Sequence, residues 1–299
     1  MGSYPGDRPR IGIVGAGAVG TALGVAFARA GWPVAAVASR DEHRRERFVR
    51  LVGGAPRAVA RPEDLLDEAE LVLLAVPDDA IAPVAARLRL YAGQAIVHTS
   101  GLLGREVLEP ALAAGSAAGS FHPLVAFAET ERAVAALHGA TVAIEGDDRL
   151  LPLLAALAEG IGATPVRLAP GAKPAYHAAA VLAAGGFVAL LDAIAELGRV
   201  AGLDEAASLA VYGPLIEGTL ANARALGIRA ALTGPATRGD AGTLAAHLAV
   251  LAERAPAVLP LYASAAEREI DLAAARGAID GPAARRLRDA LRETLAKAT

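Results

Sequence analysis

The sequence contains no cysteine, which excludes disulfides and thiolate metal sites and reads as a cytoplasmic protein. Lysine is almost as scarce: of 29 basic residues only Lys173 and Lys297 are lysines, and the rest are arginines. These 29 positive charges face 32 negative ones, so no basic excess marks a nucleic-acid surface. The six histidines never pair at i, i+4 with a helper carboxylate, and no metal site is expected. A long apolar run is also missing. The uncharged stretch Ala175–Leu191 falls short of the roughly 20 residues a bilayer span needs. It carries Tyr176, His177 and the Gly185–Gly186 pair, and reads as a buried core helix and not a membrane segment. Arg8 and Arg10 ahead of an uncharged stretch to Ala28 imitate an export signal, but cleavage there would remove glycines spaced for another purpose.

Those glycines lie in IGIVGAGAVG, Ile11 to Gly20, a G-x-G-x-x-G turn at Gly15, Gly17 and Gly20 with a strand-like run before it and a helix-like run after it. The first glycine permits the tight turn, the second a close backbone approach to a pyrophosphate, and the third close packing of helix on strand. The phosphates then sit on unpaired N–H groups where the helix opens, so Gly15, Ala16, Gly17, Ala18, Val19 and Gly20 form the expected dinucleotide cradle. The alternative is an ordinary glycine-rich turn with no ligand.

A further absence refines the cofactor. In NAD sites a carboxylate after the second strand holds the ribose hydroxyls. Here the strand Pro33–Ser39 ends without one and runs into Arg40. Ser39 and Arg40 suit a 2′-phosphate, because a guanidinium matches phosphate geometry, so NADP(H) is expected over NAD. Asp41 or Glu42 remains available to a ribose if the strand ends later. Arg44, Arg45 and Arg47 alternatively form a solvated helix face, the preferred reading for Arg47.

Apolar strands alternate with amphipathic helices from Arg10 onward, at 10–15, 33–38, 70–76, 94–98, 117–121, 140–144 and 163–168, which implies a parallel sheet. Met1–Pro9 reads as a mobile tail. Pro77, Asp78 and Asp79 are expected to open a helix through a capping acid, which places Val76 to Asp78 beside the cofactor, at the carboxyl edge of the sheet. From Ala172 no strand pattern appears, only Ala- and Leu-rich helices broken at Gly202, Gly213–Pro214, Gly227, Thr233–Pro235, Pro256 and Gly277. The fold class is therefore α/β: a Rossmann-type doubly wound parallel sheet over 10–169, then an all-α substrate and dimerisation domain over 170–299, with the boundary near 169–171. An apolar helix over 173–200 needs cover on several faces, and a homodimer built around it is expected.

Lys173 is the sole lysine inside the fold, and a partly buried lysine can release a proton where arginine cannot. His177 follows one helical turn later on the same face. His122, in Ser120–Leu124, ends a strand at the carboxyl edge and is expected to face the cleft; otherwise it merely caps the strand. In Leu232–Asp240, Arg238 is placed to clamp a substrate carboxylate with Asp240 orienting it, and Asn222 on the preceding helix offers an amide to the same pocket. The bland reading of this segment is a plain inter-helix connection. Ser100 and Gly101, with Val76 and Pro77, are expected to position the nicotinamide, and Ser100 the substrate as well.

The K-x-x-x-H of Lys173 and His177 resembles the K-x-x-x-N of β-hydroxyacid dehydrogenases and ketopantoate reductases, whose lysine is the general acid toward the carbonyl oxygen; His177 stands in place of the asparagine. The H-P-L at His122 resembles the H-P segment of prephenate dehydrogenases, whose histidine contacts the reacting hydroxyl. Together GAGAVG, LLAVPDD, VHTSG, SFHPL, KPAYHAAAVLAA and LTGPATRGD resemble, over roughly residues 10–275, bacterial Rossmann-like proteins with a helical C-terminal domain of formerly unknown function. These are similar to 6-phosphogluconate dehydrogenase-like and deazaflavin-dependent NADP reductases, and some are alternative-type ketopantoate reductases. Relatives often carry asparagine where this chain has Gly185 or Gly186. The resemblance implies an NADP-dependent oxidoreductase reducing a small 2-oxo acid, ketopantoate first, with Lys173, His122 and His177 as the catalytic groups. The alternatives are a prephenate-like dehydrogenase, an imine reductase, or a regulatory protein that binds NADP without turnover.

Overall fold

In β1 (Ile11–Val14) and β4 (Leu71–Leu74) every residue is buried, and successive side chains serve opposite faces of one sheet. Ile11, Ile13, Leu71 and Leu73 join one core, while Val14, Val72 and Leu74 join the other. This is the period-two signature of a strand covered on both faces, and it explains why these segments read as continuous apolar runs. The computed structural model describes residues 8–113 and 115–298. Most of the expected tail lies outside them, but Arg8 is held: it donates to the carbonyls of Ala30 and Gly31 and stacks over Trp32 at 5.3 Å.

Among the described residues the sheet has eight strands, β1, β2 (Val34–Ala38), β3 (Arg57–Val59), β4, β5 (Ala95–His98), β6 (Ala117–Pro123), β7 (Thr141–Gly146) and β8 (Thr164–Arg167), in the order β3-β2-β1-β4-β5-β6-β7-β8. The reversal between β1 and β4 is the switch point at which such sheets bind ligands. Helices α1 (Ala18–Arg29), α2 (Glu42–Val52), α4 (Thr130–Leu137) and α5 (Leu151–Gly160) supply Leu23, Phe27, Phe48, Leu137 and Leu154 to one face. The other face is covered by α3 (Asp78–Ala85) and by 3₁₀ turns that contribute Leu65, Leu66 and Leu108.

Three expectations need correction. β3 was missed, being a three-residue edge strand with exposed Arg57 and Ala58. β6 and β7 pair antiparallel, so the sheet is mostly and not wholly parallel. Asp78 does not cap α3; its carboxylate accepts from Ser100 Oγ at 2.8 Å.

The change from strand to helix falls between β8 and α6 (Lys173–Val181), and the compact units divide later, at Ala184/Gly185. The first turns of the long helix belong with the sheet because Lys173 is buried there. The division lies inside a π-helical turn, Leu182–Gly186, which contains the Gly185–Gly186 pair.

The second unit comprises α7 (Phe187–Val200), α8 (Glu205–Leu226), α9 (Ile228–Ala231), α10 (Ala241–Arg254), α11 (Leu259–Ala275) and α12 (Gly281–Ala298). Its core is the helical stripe Leu244, Leu248, Leu251 of α10 against Ala263, Ala266, Ile270 of α11 and Leu287, Leu291 of α12. α8 runs unbroken through Gly213–Pro214, where a break was expected. The buried-core reading of the apolar stretch also fails for a single chain. Val181, Leu182, Val188 and Leu190 are exposed, as are Leu209, Val211, Leu215, Leu220 and Leu226 of α8. By length and composition alone the helix Lys173–Val200 could cross a membrane.

Candidate active site

The glycine turn has the geometry its spacing implies. Gly15 has φ +108°, and a Cβ there would overlap the Ala75 carbonyl. A Cβ on Gly20 would overlap the Gly15 carbonyl, so this glycine lets α1 sit against the turn. Gly17 differs: a Cβ there would meet nothing within 4 Å, so its bareness answers no need of the protein's own packing. Gly17 is the N-cap of α1, with no side-chain cap and no acid in the first turn, which leaves the positive helix end open to an anion. The cleft beside it, about 480 Å³, is lined by Gly15, Ala16, Gly17, Ser39, Arg40, Val76 and Pro77, with Arg44 and Arg87. Arg87 was not foreseen, since it lies beyond α3, outside any motif. Asp41 is not free for a ribose: it caps α2, accepting from the Arg44 N–H at 3.0 Å. Arg45 donates to the Ser39 carbonyl at 2.5 Å, and the exposed Arg47 donates to Thr130.

A second cluster is built on β5, β6 and α6, all within the sheet-bearing unit. Lys173 is 2% exposed, and its ammonium donates to the carbonyls of Ser100 at 2.7 Å and Leu103 at 2.5 Å. Burial lowers its pKa to about 8, opposed by the negative charges of Glu145, Asp78 and Glu106. The ammonium thus holds the loop that follows β5. His98 holds the same loop from beneath: its Nδ1 accepts from the Ser100 N–H at 3.2 Å, so Nε2 carries the hydrogen and donates to the Gly104 carbonyl at 3.1 Å. The Ser100 hydroxyl donates to Asp78 and accepts the N–H groups of Leu102 and Leu103. Those bonds fill its donor and acceptor capacity, so its expected direct substrate contact is corrected to a loop-forming role.

Gly101 lies where the two imidazoles meet. A Cβ on it would overlap His177 Nδ1 and lie 2.8 Å from His122 Nε2. The rings of His122 and His177 stand edge to face, 5.7 Å apart. His122 lies within β6, one residue before its end, half-buried, with Nδ1 3.0 Å from the hydroxyl of Tyr176. Burial, then the charges of His177 and Lys173, lower its pKa to about 4, so the ring is neutral at ordinary pH. His177 Nδ1 is buried without a partner, as are Ser120 Oγ and Glu145 Oε2. The structure therefore brings together Lys173, His122, His177, Ser100 and Gly101, and adds His98, Asp78 and Tyr176. Tyr176 was recoverable in principle, since it lies beside His177 and three residues after Lys173.

The remaining predicted residues belong to the helical unit. Arg238 is exposed at the end of a 3₁₀ turn, Pro235–Arg238, and among the described residues its guanidinium makes no hydrogen bond or ion pair. Asp240 caps α10, accepting from the Thr243 N–H and hydroxyl, so its carboxylate is engaged there and does not hydrogen-bond Arg238. Asn222 is exposed on α8. Among the described residues no group of three or more His, Asp or Glu side chains could hold a metal.

Buried His98 gives a pH prediction. Burial depresses its folded pKa to about 4 from an ordinary value of 6.5. Between these values the unfolded chain binds the extra proton, so stability falls as pH drops from about 6.5 to 4 and is unaffected by this group above 6.5. The full loss is on the order of 3 kcal/mol at 1.36 kcal/mol per pKa unit. Denaturant titrations at pH 7.0 and 4.5 should show most of that difference together with a contribution of the same sign from His122, whose pKa is also lowered to about 4, and His98→Gln should remove only the His98 share.

An open, mostly parallel sheet with a glycine turn at its switch point defines the chain as a Rossmann-type protein. Residues 3–123 match a Rossmann-like domain family, and residues 140–270 match DUF2520, a domain of unknown function. No curated protein sequence matches the chain. Among solved structures, it is similar to a Bacteroides fragilis protein provisionally named an NADP oxidoreductase (24% identity, TM-score 0.74, 88% of this chain and 98% of that one). It is also similar to a Thermotoga maritima protein whose name states no activity (26%, 0.68, 89% and 99%). Pyrroline-5-carboxylate reductase from Streptococcus pyogenes shares the fold (18%, 0.62, 90% and 99%).

Proposed function

We propose that the protein is an NADP(H)-dependent oxidoreductase that reduces the carbonyl of a small 2-oxo acid, with ketopantoate as the first substrate to test. The observation that carries the cofactor is the bare Gly17 at an uncapped helix end, in a cleft lined by Arg40 and Arg44 and, among the described residues, by no carboxylate. A bound dinucleotide with its pyrophosphate on Gly15–Gly20 would place its 2′-phosphate toward Ser39 and Arg40, a charge match for arginine. Such a nicotinamide, when bound, supplies hydride.

The chain's own groups do the rest. Lys173 and His98 fix the loop carrying Ser100 and Gly101, and the bare Gly101 leaves both imidazoles close to that loop. His122, His177 and Lys173 are the candidate proton-handling groups. Lys173 already gives two of its three donors to carbonyls, which favours a positioning role for it and leaves proton movement to the histidine side. Arg238, with an unengaged guanidinium, is assigned to the substrate carboxylate, where a charge-assisted clamp contributes on the order of 2–4 kcal/mol.

A second copy is assigned to cover the apolar faces of α7 and α8, in keeping with the exposed Leu209, Val211, Leu215 and Leu220. Sedimentation should give a soluble dimer; a monomer, or a protein recovered only with membranes, contradicts that assignment.

The test is a panel of 2-oxo acids, cyclic imino acids and prephenate with NADPH or NADP, followed by nicotinamide absorbance. Turnover of a 2-oxo acid is expected, with Arg238→Ala raising KM steeply while NADPH binding stays unchanged. An unmoved KM removes the role of Arg238. Turnover of imines or prephenate alone replaces the substrate class. NADPH binding without turnover of anything identifies a regulatory binder.

A further inference from the structure

The hydrogen bond between Tyr176 and His122 joins a residue to which the sequence assigned no role to one of the two imidazoles facing Gly101. The Tyr176 hydroxyl lies 3.0 Å from His122 Nδ1, and the two rings stand edge to face at 5.6 Å. On its other side His122 is open: Nε2 faces the bare Gly101, makes no hydrogen bond among the described residues, and can meet water there. With Nδ1 on the phenol and Nε2 open on the loop side, the imidazole can carry a proton from water through to the phenol. The phenol has spare capacity. A hydroxyl donates once and accepts twice, and among the described residues Tyr176 hydrogen-bonds only His122.

We infer that Tyr176 is the catalytic residue that touches the reacting oxygen, with His122 as the positioning and relay group behind it. This rests on the reductase reading above. In the step, the carbonyl carbon takes hydride from a dihydronicotinamide, which is oxidised as the carbonyl is reduced. The carbonyl oxygen takes the proton from Tyr176 Oη, forming the alcohol. Tyr176 regains a proton from His122 Nδ1–H as His122 takes one at Nε2 from solvent, which supplies the net proton of the reduction; the imidazole stays neutral and returns from the Nε2–H to the Nδ1–H tautomer by solvent exchange before the next turnover. Around this pair stand Lys173 and His177 on α6 and Asp78 on α3, and the neighbouring positive charges oppose a second proton on His122. Burial raises the phenol's pKa to about 12, which keeps it protonated over the working range yet a stronger acid than the alcohol formed, so proton transfer to the developing alkoxide runs downhill.

The experiment uses the full chain and compares wild type with Tyr176→Phe. NADPH affinity is read by nicotinamide fluorescence, turnover by absorbance, and His122 by imidazole ¹⁵N resonances. The variant is expected to bind NADPH with unchanged Kd, to lose 10²–10⁴-fold in kcat as for a removed general acid, and to shift the His122 Nδ1 resonance. Site-specific 3-fluorotyrosine at position 176 supplies a second, fold-preserving probe: the alkaline limb of the kcat profile should move down with the more acidic phenol. Active wild type with kcat within threefold in Tyr176→Phe, or an alkaline limb unmoved by fluorination, overturns the assignment alone. A wild type that binds NADPH and reduces nothing on the panel overturns the reductase reading, and the assignment falls with it.

Discussion

Lys173→Met is expected to lower stability by about 3 kcal/mol and kcat at least a hundredfold. The ammonium is the only group seen to satisfy the Ser100 and Leu103 carbonyls from α6, and its removal leaves two buried acceptors unpaired, at roughly 1–3 kcal/mol each. It also removes the positive charge among Asp78, Glu145 and Glu106. The loop so released carries Gly101, the point at which both imidazoles converge, so the loss spreads from stability to turnover. Lys173→Arg is the sharper comparison. It keeps the charge, but a planar fork of five donors does not fit a site built for a compact ammonium between two carbonyls. It should retain most of the stability and lose at least tenfold in kcat. Full activity in Lys173→Arg would mean that charge alone suffices, and the positional argument would fail.

The second large effect separates the two uses of glycine in the phosphate turn. Gly20→Ala forces a methyl against the Gly15 carbonyl, where neither backbone can yield. Overpacking of this kind costs about 1–3 kcal/mol, and NADPH binding should fall together with the melting temperature. Gly17→Ala meets nothing within 4 Å, so its melting temperature should equal that of wild type. Its methyl instead occupies the space above the open end of α1, where the pyrophosphate is assigned, so NADPH affinity should drop at least tenfold. Calorimetry of the free proteins and a fluorescence titration read the two effects separately. Undiminished NADPH affinity in Gly17→Ala would contradict the cradle.

Much of this was legible from residues. Apolar runs located seven of the eight strands seen among the described residues; the central ones are continuously hydrophobic because both faces are buried, while the edge strand β8 is mostly exposed. The glycine turn, the missing acid after β2 and the lone interior lysine all pointed to groups that the structure places at the carboxyl edge or beside it. The missed β3 is too short to carry a pattern, and the antiparallel β7 looks the same as a parallel strand in sequence, since direction is set by the connection through α4. The roles of single side chains were the least legible. Ser100 and Asp240 carry the chemistry of ligands, yet one fills its hydroxyl with loop hydrogen bonds and the other caps a helix. Tyr176 read as an interruption in an apolar run, because only the folding of β6 against α6 brings its hydroxyl to His122.

The central claim is that a 2′-phosphorylated dinucleotide lies on Gly15–Gly20 with its ribose end at Ser39 and Arg40. Calorimetric titration of the full chain with NADPH and, separately, NADH tests it most directly. A saturable one-site complex is predicted, at least tenfold tighter for NADPH, with Arg40→Ala erasing the difference as the loss of one charge-assisted contact of about 1.5–3 kcal/mol. No complex with either nucleotide, or equal affinities indifferent to Arg40, would contradict it.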